Sequence, residues 1–440
     1  MSRLVAIACL VGCNGAVTLA ISGDRPVPQA VDAICVGVAD DAPGGGAFGR
    51  AYRLAGELAG LPQTLRLEPG AATSAFAWVR GDRGGVPSIR AGSRLDFGDD
   101  VTLGLDICQR GAAGAPRLIG ALAGPSSAQL VASQGAQGEV VVAIGAETAI
   151  LDAGDGTLIA EPGPPPPPGA ITAAVAIDLD GDCDDDVVVA TAAGAPVLWR
   201  REGKAFTEVG TLGTTPVAAI GVADVELDGD LDLIAGAGTS LRLWRNDGGG
   251  GFTADDGALL AEGRLSSVRA IALGDLDGDG NADLVVGQAG DPLRAWLGSA
   301  SGSFSSADAV LAAVPLDVAS FQLADLDGDF DPDLAVAVTK GPMRVYVDRE
   351  GRLEDQSFVK LPQPPPAAVA IAIGGWDGGC EIDAVLAGAA GGRALRGRDG
   401  GFDAEAELPA ATDAVMLDLD EDGDRDVVLA TPEGARWLAR

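Results

Sequence analysis

Along most of this chain apolar residues alternate with polar ones or gather in short continuous runs, and no stretch sustains a helical period for long. Runs such as VRAIALG, ADLVVG and LRLW are rich in β-branched and aromatic residues. Clusters of Gly, Asp and Asn bound them, which predicts short strands joined by turns. Before residue 110 six such runs follow at roughly ten-residue spacing: AVTLAIS, AICVGVA, TLRLEP, SAFAWVR, PSIRAGSRLDF and VTLGLDIC. They predict a small β-sandwich-like domain over residues 14–109; Leu54–Leu61 fits a helical turn or a loop equally well. After residue 110 the runs become periodic.

Five segments share one acidic pattern followed by an apolar run: DLDGDCDDDVVV, DVELDGDLDLIA, DLDGDGNADLVV, DLDGDFDPDLAV and DLDEDGDRDVVL. Numbered from the first Asp of each, acids stand at positions 1, 3, 5 and 9, with Gly at 4, at 6 or at both. Two like charges 4 Å apart repel by about 4 kcal/mol at an effective dielectric near 20, so such a density needs a cation at its centre. Oxygen-only donors at this spacing suit calcium, and the glycines permit the positive φ of a backbone curled round an ion. An EF-hand shares the opening but requires Glu at position 12 and flanking helices. Here position 12 is Val189, Ala235, Val286, Val336 or Leu429, inside a strand-forming run.

The first Asp residues lie at 178, 224, 275, 325 and 418. The wide last gap holds a decayed unit, IAIGGWDGGCEIDAVLAG, with Gly375 at position 1 and Asp383 at 9. Upstream, LVASQGAQGEVVVAIG fits the frame with Val131 at position 1 and Glu139 at 9. Seven units with a period of about 40–50 residues and four short strands each predict a β-propeller. The expected fold is therefore all-β, a seven-bladed β-propeller over residues 110–440 preceded by the sandwich-like domain. The last unit ends at its third strand, so Arg117–Ala121 is expected to supply its fourth and close the ring. Trp199, Trp244, Trp296, Tyr346 and Trp437 recur on the third strands and read as interblade packing.

Loop, strand and period together resemble the FG-GAP/VCBS repeats of integrin α-subunit propellers and of many secreted bacterial proteins. LWRNDGGGGFTADDGALL also resembles the N-x-G-x-G-x-F segment of that family. The resemblance implies calcium held by side chains at positions 1, 3, 5 and 9 and by the backbone oxygen at 7. The implied sites are Asp178, Asp180, Asp182, Asp184 and Asp186; Asp224, Glu226, Asp228, Asp230 and Asp232; and Asp275, Asp277, Asp279, Asn281 and Asp283. They continue with Asp325, Asp327, Asp329, Asp331 and Asp333, then Asp418, Asp420, Asp422, Asp424 and Asp426, about five Ca2+ ions in all. Glu226 is longer than the usual Asp, Cys183 and Phe330 replace the second Gly, and the first and sixth units should bind no metal.

Charge and composition narrow the function. The net charge is −34, and the five loops hold 26 of the 64 acidic residues. That balance argues against nucleic acid and against direct attachment to anionic lipid. The absence of His removes the commonest general base and the Ser-His-Asp and Cys-His arrangements. No catalytic constellation is apparent, so no enzymatic role is expected; an Asp/Glu carbohydrate hydrolase or lyase and a structural surface component are the alternatives. The opening MSRLVAIACLVGC has a charged start and an apolar run too short to span a bilayer. Leu10-Val11-Gly12-Cys13 resembles a bacterial lipobox, implying a signal over residues 1–13, lipidation at Cys13 and an exported protein anchored in the envelope. Cysteine parity then favours a Cys35–Cys108 disulfide, while Cys183 and Cys380 fall in units that are not neighbours. Arg80-Gly81-Asp82 is expected on a Gly-rich hairpin as a turn, not as an adhesion site. The partner expected for the propeller is an extracellular or periplasmic protein or glycan, with membrane contact only through the lipid.

Overall fold

A computed structural model of the 440-residue chain describes the strands before residue 147 and, from there on, nearly all of the backbone. Side chains are described from Thr148 onward, except at 152–161, 166, 177, 181–184, 203–204, 229, 256–264, 312, 328–331, 350, 377–381, 399–400, 418, 420–424 and 439–440. Cys13, Cys108, Cys183, Cys380, Asp182, Asp184, Asp329, Asp331, Asp418, Asp420, Asp422 and Asp424 lie outside the described residues.

Strands dominate. The helical turns among the described residues are Asp308–Val310 and Ser357–Lys360, and no helix there is long and apolar enough to cross a membrane. Before residue 110 the strands form two four-stranded sheets. One joins Cys9–Leu10, Gln63–Pro69, Val17–Gly23 and Val101–Leu105; the other joins Gly46–Arg53, Ala33–Ala39, Ser74–Arg83 and Val86–Asp96. All six predicted strands are present. Gly46–Arg53 is an addition that its glycines obscured. The Arg80-Gly81-Asp82 tripeptide is not in a turn: it lies inside Ser74–Arg83, paired on one side to Ala33–Cys35 and on the other to the strand from Val86. Cys35 sits in Ala33–Ala39.

The rest is a β-propeller of four-stranded antiparallel blades. In the Asp178 unit the strands are Ile171–Ile177, Asp186–Thr191, Gly194–Glu202 and Ala205–Thr211, paired in chain order. The Asp224 unit repeats this with Ala219–Ala223, Asp232–Ala237, Ser240–Asn246 and Phe252–Ala254. In the Asp275 unit the outer strand shrinks to Ser305–Ser306, much shorter than the run GSFSSADAVL predicts, because Asp308–Val310 turns into a 3₁₀ segment. Its second strand, Asp283–Pro292, is long enough to pair as well with the next inner strand, Pro315–Ala324. Inner strands of successive units lie side by side, and Leu130–Ser133 touches both Ile171–Ile177 and Asp413–Leu417. Arg117–Ala123 lies antiparallel beside Gly434–Ala439, Arg436 opposite Ala121.

The frame of the first unit differs from the prediction. Ser133 pairs with Glu139, so Val131 belongs to the inner strand and only residues 134–138 connect. The full loops span eight residues, as between Ile177 and Asp186.

Blades meet through apolar cores. Trp244 shares one with Val188, Leu198 and Leu212 of the preceding unit, Trp296 with Ile234 and Leu243, and Tyr346 with Val285 and Ala295. The interblade role therefore holds for these three. Trp199 packs with Val187, Val189 and Val197 of its own blade, and the side chains of the preceding unit that would face it lie mostly outside the described residues. Four residues after each position-9 Asp stands Ala190, Gly236, Gly287, Ala337, Ala387 or Ala430. At Gly236 an added Cβ would come 2.8 Å from Cβ of Val268 on the next inner strand, so only a small residue lets the blades close.

Candidate metal loops

Strand register places each loop at the same end of its blade. The residue before position 1 pairs with position 9: Ile177 with Asp186, Ala223 with Asp232, Gly274 with Asp283, Ala324 with Asp333, Gly374 with Asp383 and Leu417 with Asp426. Position 9 is thus the first residue of a buried strand, and its carboxylate forms the floor of the loop.

That carboxylate is held by two backbone donors. One oxygen accepts the N–H of position 2: Leu179 to Asp186 at 3.1 Å, Val225 to Asp232 at 3.0 Å, Leu276 to Asp283 at 2.7 Å and Leu326 to Asp333 at 2.9 Å. The other accepts an N–H from the third strand: Arg201 to Asp186 at 2.8 Å, Asn246 to Asp232 at 2.8 Å, Gly298 to Asp283 at 2.7 Å and Asp348 to Asp333 at 2.7 Å. The decayed unit keeps the arrangement. Asp383 accepts from Trp376 at 2.9 Å and from Gly397 at 2.8 Å although acids at positions 1 and 5 are gone. Position 9 is therefore a backbone staple first, tying the loop to the third strand whether or not a cation is bound. Sequence reading gave it only a ligand's role; its retention beside Gly375 was the available signal.

Among the described residues, two loops bring three acids together. One carboxylate oxygen each from Asp275, Asp277 and Asp283 lies within 4.8 Å of the others, and so it is for Asp325, Asp327 and Asp333. Such clusters could hold a metal ion. Position 5 does something else: Asp279 accepts from Asn281 N–H at 2.8 Å and from Asn281 Nδ2 at 2.7 Å. Asp275 closes the turn, its two oxygens accepting from Asp279 at 3.0 Å and Gly280 at 2.9 Å. Leu227 holds position 4 of the Asp224 loop at φ 59°, where the Asp275 loop has Gly278 at φ 76°.

Burial disfavours charge on the floor. It raises Asp186 to about 8 and Asp283 to about 7, against 3.8 for a free side chain; the backbone N–H donors and neighbouring acids are weaker influences. Burial also raises Asp232 to about 7, with Glu226 adding to the effect. A cation would reverse the balance by favouring the ionised forms.

The position-3 acids meet arginines that sequence reading passed over. Arg200 Nε lies 2.9 Å from Asp180, Arg245 pairs with Glu226, and Arg349 Nη2 lies 2.9 Å from Asp327. The signal was present in WRR, LWRND and VYVDR, which place Arg just beyond the third-strand aromatic. After these contacts Oδ1 of Asp180 and Oδ1 of Asp327 are buried and without a hydrogen-bond partner. Asn246, from the Gly-rich segment, donates Nδ2 to the Leu179 carbonyl at 2.7 Å and so ties the Asp224 unit to the loop before it.

The FG-GAP-like repeat matches in three overlapping frames, residues 178–235, 224–286 and 275–336. Residues 178–336 of this β-propeller are built of FG-GAP-like repeats. Each frame runs from one acidic loop through the next, so the FG-GAP match and the loops found in the structure coincide. No curated protein matches the chain. A solved structure described as an Agrocybe aegerita lectin recognising non-reducing terminal N-acetylglucosamine is similar over 97% of this chain and 99% of its own. It shows 14% identity and a TM-score of 0.48, too distant for what it binds to be transferred to this chain.

Proposed function

We propose that this protein is a calcium-stabilised, seven-bladed propeller serving as a non-catalytic binding platform for a protein or glycan, exported and tethered through a lipid on Cys13. The observation that carries the metal reading is the pair of orphaned oxygens, Oδ1 of Asp180 and Oδ1 of Asp327, each buried inside an acidic loop. A buried carboxylate oxygen without a donor is costly, and a cation is the partner that oxygen-only loops accept. The fit is good at the Asp275 and Asp325 loops, where Asp275, Asp277 and Asp283, and Asp325, Asp327 and Asp333, would hold the ion. Bound calcium would neutralise the loop and fix its hairpin. The seven-blade count is supported by the continuous succession of inner strands and by Arg117–Ala123 beside the last unit. The non-catalytic reading is supported by the lack of His. Export rests on the lipobox-like opening alone.

Melting of the full chain in excess calcium, in magnesium and in chelator tests the metal. Calcium should raise the melting temperature, by about 2.7 kcal/mol of stability per site at a hundredfold excess over the dissociation constant, and magnesium should substitute poorly. Identical curves would refute it. A glycan array and a pull-down from envelope extracts, each run with calcium and with chelator, test the platform; no calcium-dependent partner in either would count against it.

A further inference from the structure

The loops are not equivalent in their cation environment. In the Asp178 unit Arg200 contacts Asp180 of its own loop, and its Nη2 also donates to the Gly249 carbonyl in the strand-connecting turn of the next unit. In the Asp224 unit Arg245 does the same: it pairs with Glu226, and its Nη2 donates to the Gly302 carbonyl of the next unit at 2.8 Å. Arg245 is held further by Asp255, 2.8 Å from Nε. Gly302 has φ 70°, and a Cβ there would strike the Arg245 guanidinium, so the turn is shaped around the arginine. Asp327 receives Arg349 and, at 3.9 Å, Lys360. The Asp275 unit departs from this: Leu297 follows its aromatic Trp296 where Arg200 follows Trp199 and Arg245 follows Trp244. Among the described residues Asp277 has no ion pair with Lys or Arg, yet its loop has three converging carboxylates.

We propose that these arginines set an affinity order among the cation sites, the Asp275 loop binding most tightly and the Asp224 loop least. The inference rests on the calcium reading above. A guanidinium on the position-3 carboxylate already supplies a positive charge and occupies one of its oxygens, so an incoming divalent ion meets repulsion and one donor fewer. The Arg245 side chain is 20% exposed and that of Arg349 45%, so solvent screens the repulsion least in the Asp224 loop. Arg200 and Arg245 also reach the next blade, so filling their loops competes with an interblade contact.

Calorimetric titration of calcium into the full-length protein tests the order. The wild type should show a tight class that Asp277→Asn removes, and weaker sites about tenfold or more below it. Arg245→Leu should convert one weak site into a tight one, Arg245→Lys should not, and Leu297→Arg should weaken the tight class. Melting in chelator, where Arg245→Leu should lower the transition through its lost contacts to Gly302 and Asp255, reports folding separately. Isotherms for Arg245→Leu and Leu297→Arg that superimpose on the wild type would overturn the proposal. So would removal of a weak site by Asp277→Asn, or tightening by Arg245→Lys as well as by Arg245→Leu. A wild type that binds calcium with equal sites defeats only this inference; one that binds none defeats the calcium reading with it.

Discussion

Removing the Asp383 carboxylate should destabilise the propeller as much in chelator as in calcium. This Asp is fully buried at the head of its strand, and its oxygens accept the N–H groups of Trp376 and Gly397 at 2.9 and 2.8 Å. Asp383→Ala leaves both donors in an apolar setting. Each buried donor left without an acceptor costs about 1–3 kcal/mol, so the pair predicts about 2–6 kcal/mol, toward the lower end if water enters the space. Asp383→Asn is the sharper variant. Its amide keeps the shape but offers one acceptor and sets an NH2 group against the other N–H, so it should be no better than Ala. Urea unfolding followed by Trp fluorescence, in chelator and in calcium, measures both. Because the sixth unit lacks acids at positions 1 and 5, the loss should be the same in the two buffers. A loss below about 1 kcal/mol, or one present only in calcium, would refute the staple and return position 9 to a metal ligand alone.

Leu227→Gly should stabilise the protein by about 0.5 kcal/mol, since release of the left-handed strain at φ 59° outweighs the added chain entropy; no gain in a urea midpoint would count against that. Gly236→Ala should cost about 1–3 kcal/mol by pressing a methyl group onto Val268, and a neutral result would mean that the blades are not in contact there. In chelator, stability should fall as pH rises from about 4 toward 7–8. Over that interval the unfolded chain has lost the protons that Asp186, Asp232 and Asp283 retain in the fold, and calcium should flatten the slope; a rise in melting temperature over the same interval in chelator would contradict it.

What the sequence by itself determined is whatever repeats locally. The acidic loop, the apolar run after it and the near-constant spacing are all encoded within a few residues, so blade, loop and period could be read along the chain. The pairing of Arg117–Ala123 with Gly434–Ala439 was also legible, because a unit short of its fourth strand leaves an unpaired edge. Tertiary structure alone decided the contacts between residues far apart in sequence. Nothing in DLDGDGNAD says that Asp283 will find the N–H of Gly298, or in LWRND that Arg245 will reach Gly302. These depend on how the third strand folds back over the loop and how closely the next blade approaches. The first unit's frame went wrong for the converse reason: once the acids are gone, the sequence no longer marks where a strand stops, and hairpin geometry sets it.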